Sequence, residues 1–195
     1  ILAAGKGTRM KSALPKVLHE ALYHPILSYV LHAAKSVGND ICTVVGHGAE
    51  EVMAAFEGNT SFVMQREQKG TGHAVREGLS AFEGRENGTV LVLCGDTPLL
   101  RGETLMRLCD YHETQEAAVT VMTATVEDPF GYGRILRDEQ GDLCRIVEQR
   151  DASESERHVK EINSGVYCFD LNFLRNAVFQ LQTDNDQGEL YLTDT

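Results

Sequence analysis

Short apolar runs alternate with helix-period stretches from Ile1 to Thr125, and this alternation limits the fold more than any other feature of the chain. Ile1–Ala4 is an apolar stub. Pro25–Ser36 sets Ile26, Leu27, Val30, Leu31 and Ala34 at i, i+1, i+4, i+5 and i+8, which predicts a helix. Ile41–Val45 is continuous and rich in β-branched residues, the pattern of a strand covered on both faces. Further helices are predicted at Ala49–Phe56, Gly72–Phe82 and Glu103–His112, and further strands at Ser61–Met64, Thr89–Cys94 and Ala117–Thr125. Strands alternating with helices imply βαβ units, hence the α/β class with a Rossmann-like, mostly parallel sheet flanked by helices.

The texture changes after Val126. Gly133–Arg137 and Leu143–Val147 flank the turn-like Asp138–Gly141, which predicts a hairpin. Val159–Phe169 reads as a strand and Leu171–Leu181 as a helix. We read residues 1–195 as one domain, with 1–126 the ligand-cradling half and 127–195 a β-rich extension that faces the substrate. The chain opens on Ile1 and stops at Thr195 with no terminating signal, so we read it as cropped at both ends.

Charge sharpens this picture. The formal net charge is −11, which argues against a broad nucleic-acid or anionic-membrane surface, because polyanions need a basic footprint. The charge is uneven, however. Lys6, Arg9, Lys11 and Lys16 fall within residues 1–19 with no acid among them, and the other 14 basic residues share the rest of the chain with all 29 acids. No apolar run approaches the ~20 residues of a membrane-spanning helix. The five cysteines, Cys42, Cys94, Cys109, Cys144 and Cys168, are widely spaced with no CxxC pair. That pattern reads as reduced, mostly buried thiols in a cytoplasmic protein, and argues against a zinc site.

In open α/β sheets ligands bind beyond the carboxyl ends of the strands, so the loops after Ala4, Val45, Met64 and Cys94 are the places to look. The first is Ala4-Gly5-Lys6-Gly7-Thr8-Arg9. Two glycines after a strand let backbone N–H groups approach a phosphate closely. The loop lacks the GxxxxGK[ST] spacing of a Walker A motif. Met10 stands where a dinucleotide fingerprint needs its third glycine, and the second strand ends Val45-Gly46-His47 without the acid that fingerprint requires. A nicotinamide dehydrogenase is thereby disfavoured. A plain tight turn is the alternative for the glycines, and a solvated cation the alternative for Arg9 or Lys16 taken singly. Together they favour a phosphate cradle, Arg9 offering a fork and Lys16 a mobile point charge.

Four further positions carry chemistry. Gln65 closes a strand and can pair with a base edge through one donor and one acceptor, or be a polar strand end. Asp96 follows a buried strand, where a carboxylate suits a magnesium ion or a turn and helix cap. Glu148 and Asn163 lie on predicted strands of the second half and suit sugar hydroxyls, although Glu148 alone could be a solvated strand residue. His73 reads as a helix-start residue that packs locally.

The stretches LAAGKGTRM…LPKVLH, VVGHGAE, QREQKGTGHA, CGDTPLL, DPFGYGRI, IVEQRDA, EINSGVY and QGELYLTD run in order along nearly the whole chain. In these the chain resembles the sugar-nucleotide pyrophosphorylases, and most closely the uridyltransferase domain of bifunctional members. The first stretch is shared by several nucleotidyltransferases, whereas GTGHA, GYGRI and EIN[ST]G together are far more specific. The resemblance implies a nucleotide-diphospho-sugar transferase fold. It implies Mg²⁺-dependent transfer of UMP from UTP to N-acetylglucosamine 1-phosphate, in the supply of peptidoglycan, cell-wall and lipopolysaccharide precursors. By resemblance Leu2, Ala3, Gly5, Gly7, Lys16, Gln65, Gly70 and Thr71 bind the nucleotide. Cys94, Gly95, Gly133, Glu148 and Asn163 bind the sugar phosphate; Arg9, Lys16 and Asp96 are catalytic; and Asp96 holds the metal. Tyr191 and Asp194 match the family's terminal motif and support the pocket.

Two departures accompany the match. Cys94 stands where the family often has a tyrosine, and the family's second metal ligand, an asparagine, is expected beyond Thr195. No hexapeptide repeat is present, so the β-helix acetyltransferase domain of bifunctional members, and the homotrimer it builds, are expected outside this chain. The rivals are a nucleotidyltransferase for another sugar or polyol phosphate or for CTP, and a nucleotide-sugar binding module without turnover.

Overall fold

The computed structural model describes residues 1–7 and 10–195. Three parallel strands form the first part of the sheet, in the order β1 (Leu2–Ala3), β4 (Cys42–Val45), β5 (Ser61–Met64). β1 also bonds to the segment after β6 (Thr89–Val92): Leu2 N donates to Leu93 O at 2.8 Å, and Gly95 N donates to Leu2 O at 2.8 Å. The sheet thus continues into β6. There its character changes, because β10 (Glu161–Asp170) pairs antiparallel with β6, with β7 (Val119–Thr125) and with β8 (Arg134–Arg137). β8 and β9 (Leu143–Val147) form the expected hairpin.

The result is an α/β fold with a parallel part and an antiparallel, β-rich part. The periodicity alone did not reveal that the Thr89–Cys94 stretch belongs to both. It has a single parallel bridge to β1, Leu2 to Cys94, and a four-residue antiparallel ladder to β10. A continuous apolar strand looks the same in either arrangement, since it is buried on both faces.

Side chains alternate across the sheet and fill two layers. Val45 faces α1 (Ile26–Lys35), α2 (Ala49–Ala55) and α4 (Gly102–Thr114), packing with Leu27, Val30, Val52 and Leu105. Val44 faces the other way, against Ala74 of α3 (Thr71–Gly78). On β10, Tyr167 and Phe169 point to that same second layer, with Val75 and with Leu171 and Leu174 of α5 (Leu171–Ala177). The stretch predicted as one helix over Gly72–Phe82 divides into α3 and a 3₁₀ turn, Leu79–Phe82. It divides at Gly78, where a Cβ would come 2.9 Å from Val44 Cγ2, so helix and strand touch there.

One small element was not expected. β2 (Glu20–Ala21) and β3 (His24–Pro25) form a hairpin whose tip is Leu22-Tyr23. Both tip residues are left-handed, with φ of 49° and 68°, and they are 83% and 90% exposed. Such two-residue turns ordinarily announce themselves as Asn-Gly, which is why the sequence carried no signal here. Each bulky residue costs roughly 1–2 kcal/mol in that conformation. The double substitution Leu22→Asn, Tyr23→Gly is therefore expected to raise the melting temperature by a few degrees. An unchanged or lowered value would contradict the strain.

Candidate active site

The carboxyl end of β1 opens onto the glycine-rich loop. Gly7 has φ +57°, accepts from Met10 N at 2.9 Å, and lies so close to Lys16 that a Cβ there would sit 3.0 Å from Lys16 Cβ. The loop thus passes close against the lysine. Arg9 lies outside the described residues. Lys16 begins a short 3₁₀ turn, Lys16–Leu18, pinned on either side by buried Pro15 and Val17. Its Nζ meets Asp96 Oδ2 at 2.5 Å, joining residues eighty positions apart.

Asp96 sits just past β6, where Thr97 Oγ1 closes a turn by donating to Cys94 O at 2.8 Å. Gly95 packs against β1, and a Cβ on it would lie 3.1 Å from Leu2 O and 3.3 Å from Ala3 Cβ. Leu2, Ala3, Gly95, Asp96, Lys16 and Gly7 therefore share one corner. Gly5 is an exposed residue of the same loop.

A second corner forms where β4 and β5 end. Gln65 N donates to Val45 O at 2.7 Å, which sets the Gln65 side chain beside the loop into α3. Gln65 is 3% exposed; its Nε2 donates to Gly70 O at 3.1 Å and lies 3.0 Å from His73 Nδ1. Gly70 has φ +99°, and a Cβ on it would lie 2.5 Å from Leu190 O, so glycine is required there on both counts. Thr71 Oγ1 accepts from Leu192 N at 3.0 Å.

The residues expected on the sugar side form a third corner. Asn163 N donates to Gly133 O at 2.9 Å, and a Cβ on Gly133 would lie 3.3 Å from Glu148 Oε1. β10 is bulged between Asn163 and Val166, which turns Gly165 into the site with φ +78°. There Gly165 N donates to Asn163 Oδ1 at 3.0 Å, and Cys94 Sγ donates to Gly165 O at 3.6 Å. Burial, with the charge of Asp96, pushes the Cys94 thiol up to about 11. Cys94 thus stays a protonated packing group and is unsuited to nucleophilic work.

The last residues close the circuit. Thr193 Oγ1 donates to Glu148 Oε1 at 3.3 Å, one residue beyond Leu192, which binds Thr71. The three corners are therefore linked: the chain's last turn joins the second to the third, and the Cys94–Gly165 contact joins the third to the first. Thr193 and Tyr167 escaped the sequence reading. Tyr167 is buried and its hydroxyl receives Asn163 Nδ2 at 2.5 Å, a contact four residues along a strand that only the bulge permits. The buried Arg134 was likewise missed; its guanidinium donates to Gln149 Oε1 at 2.7 Å, which also accepts from Gly131 N at 2.9 Å, so it clamps the Gly131–Gly133 loop. The Tyr191 hydroxyl accepts from Gln187 Nε2 at 2.6 Å.

Burial, together with Asp151 and Asp194, raises the Glu148 carboxyl above its ordinary range, against the pull of Thr193 and Arg134. A raised carboxyl favours the protonated folded state. Its contribution to stability is full at pH below the ordinary carboxylate range and is lost as pH rises through the raised value. The melting temperature of Glu148→Gln relative to wild type is therefore expected to increase between about pH 4 and pH 7. A difference that stays flat or falls would contradict the burial of this charge.

Among the described residues no three His, Cys, Asp or Glu side chains converge as a protein-only metal cage. Magnesium needs no such cage, since one or two carboxylates with substrate phosphates and water suffice. The partly exposed Asp96 meets that requirement. No helix among the described residues is long and apolar enough to cross a membrane.

Residues 1–160 match the model of the MobA-like NTP transferase domain. The chain is 54% identical over 197 residues to a "Bifunctional protein GlmU" of Pelobacter propionicus, covering all of this chain and 43% of that protein. It is 53% identical over 195 residues to another of that name from Lactobacillus delbrueckii subsp. bulgaricus, covering all of this chain and 42% of that protein. The chain thus spans less than half the length of these curated relatives. In fold it is similar to a UDP-glucose pyrophosphorylase solved with UDP-glucose, with a TM-score of 0.71 at 18% identity, covering 99% of this chain and 82% of that one.

Proposed function

The chain belongs to the MobA-like NTP transferase domain family, and from that premise we propose that it is a uridylyltransferase that joins UTP and N-acetylglucosamine 1-phosphate. The observation that carries the reading is the Lys16–Asp96 pair at 2.5 Å, held at the carboxyl ends of the strands beside the glycine-rich loop. The side chains are 41% and 33% exposed, so the pair adds little to stability, roughly 0–1 kcal/mol. A cation and a carboxylate set at a strand terminus at so little benefit to folding are better explained by a charged ligand. The name borne by relatives about half identical to this chain, GlmU, supports the same substrates.

In this reading an oxygen of the sugar 1-phosphate attacks the α-phosphorus of UTP. The new P–O bond forms as the bond to the β-phosphate oxygen breaks, and pyrophosphate leaves with the electron pair. The nucleophile is already an anion, so no serine, cysteine or general base is required, in keeping with the protonated Cys94. Catalysis then rests on positioning and charge neutralisation. Leu2, Ala3, Gly5 and Gly7 line the nucleotide, with Gln65, Gly70 and Thr71 at the uracil. Lys16 and Arg9 hold the triphosphate and meet the charge that develops on the departing pyrophosphate. Gly133, Glu148 and Asn163 orient the sugar, with Gly95 and Cys94 beneath it. Asp96 would hold Mg²⁺, which when bound supplies positive charge to the phosphate oxygens. Residues 1–126 serve the nucleotide and 127–195 the sugar. We place the protein in the cytoplasm, where these substrates occur.

The test is pyrophosphate release across the four NTPs and several sugar and polyol phosphates, with and without Mg²⁺. The expected result is Mg²⁺-dependent release that is fastest with UTP and N-acetylglucosamine 1-phosphate. A faster pair would reassign the substrates, and tight UDP-sugar binding with no turnover would make the chain a binding module.

A further inference from the structure

We propose that His73 and Glu77 are positioning residues that lock the Gln65 amide in one orientation, and so make the site select uracil over cytosine. This rests on the reading that places the base at Gln65. A carbonyl oxygen only accepts, so the Gln65 atom 3.1 Å from Gly70 O must be the NH₂ group. That group has a second hydrogen, and His73 Nδ1 lies 3.0 Å away. Nδ1 can accept it only if the ring carries its proton on Nε2. Nε2 lies 3.3 Å from Glu77 Oε1, one helical turn on, and a carboxylate there holds the proton on that nitrogen.

The chain of bonds therefore runs Gln65 NH₂ to His73 Nδ1, and His73 Nε2–H to Glu77. Each link fixes the next. Gln65 Oε1 takes no part in these bonds and is the atom left to a ligand. Uracil carries an N–H at ring position 3, which donates to such an oxygen. Cytosine carries a lone pair there, which an oxygen repels. A flipped Gln65 would suit cytosine, but it would set Oε1 against two acceptors at once, Gly70 O and His73 Nδ1. Gln65 and His73 are 3% and 7% exposed, so water does little to relieve that clash. The uracil preference thus originates one contact behind the residue that touches the base.

The experiment is isothermal calorimetry of UTP and CTP binding to wild type, His73→Leu, His73→Asn and Glu77→Gln. Wild type is expected to prefer UTP. His73→Leu removes one of the two inner acceptors, and the UTP/CTP affinity ratio is expected to fall roughly 10-fold. Asn carries an acceptor oxygen near the Nδ1 position, so His73→Asn is expected to restore most of the ratio. Glu77 is half-exposed, so Glu77→Gln leaves the core untouched; it frees the tautomer and is expected to lower the ratio several-fold. If wild type prefers UTP and His73→Leu and Glu77→Gln keep the full ratio, the positioning role is wrong while the uridylyl reading stands. Equal weakening of both nucleotides in all three variants would reduce His73 to packing. A wild type with no preference for UTP would overturn the uridylyl reading and this inference with it.

Discussion

Asp96→Asn is expected to lower pyrophosphate release by about 10²–10³-fold, equivalent to ~3–4 kcal/mol of barrier, while the protein still folds. The two halves of that expectation have separate grounds. The fold should survive because Asp96 is partly exposed and its one ion pair among the described residues, with Lys16, is of the kind worth only about 0–1 kcal/mol. Asn keeps the size of the side chain and can still accept a hydrogen bond. Turnover should fall because the carboxylate charge is what a hard cation needs, and an amide oxygen is a weak substitute. The measurement is single-turnover pyrophosphate release over a range of Mg²⁺, with thermal melting as the control. Near-wild-type release by a folded Asp96→Asn protein would remove the metal assignment, because the described residues offer no alternative cluster.

Lys16→Ala is expected to cost a similar factor, about 10²–10³ in kcat/KM, and to do so with the glycine loop in place. Gly7 lies close against the Cβ of Lys16, which alanine retains. The turn itself is anchored by Pro15 and Val17, which are buried whatever stands between them. What alanine removes is the ammonium, and with it the charge proposed to face the leaving phosphate. Lys16→Arg separates charge from shape. It is expected to recover only part of the loss, because a planar fork does not reproduce a compact point charge on a mobile stem. Full activity in Lys16→Ala would show that the pair with Asp96 is a surface ion pair and no more.

The sequence and the structure agree where a signal is local. Periods of 3.6 and of continuous apolar character marked each major helix and most strands to within a few residues, because burial on one stripe or on both faces leaves its trace in neighbouring residues. The hairpin at Arg134–Arg137 and Leu143–Val147 was legible for the same reason. The Leu22-Tyr23 turn was not, since its backbone is imposed by the strands on either side and not favoured by its own residues. At the site, the glycines and Lys16 stood out by type and position together, whereas Asp96 and Gln65 were open between a ligand role and a turn or strand end until the family resemblance assigned them. His73, Tyr167, Arg134 and Thr193 did not stand out as site residues. Each acts on another residue of the site, and nothing in the residue itself marks the partner.

Composition and order along the chain were enough to determine an α/β fold, a basic segment in an otherwise acidic chain, and the strand ends where ligands should gather. They could not determine which residues meet. Lys16 and Asp96, eighty positions apart, are brought to 2.5 Å because β1 bonds to the segment after β6. Gly133, Glu148 and Asn163 converge because β8 pairs with both β9 and β10, and Cys94 joins them where β10 bulges at Gly165. Strand pairing of that range depends on the whole core being buried at once, and a single sequence records burial but not the partner.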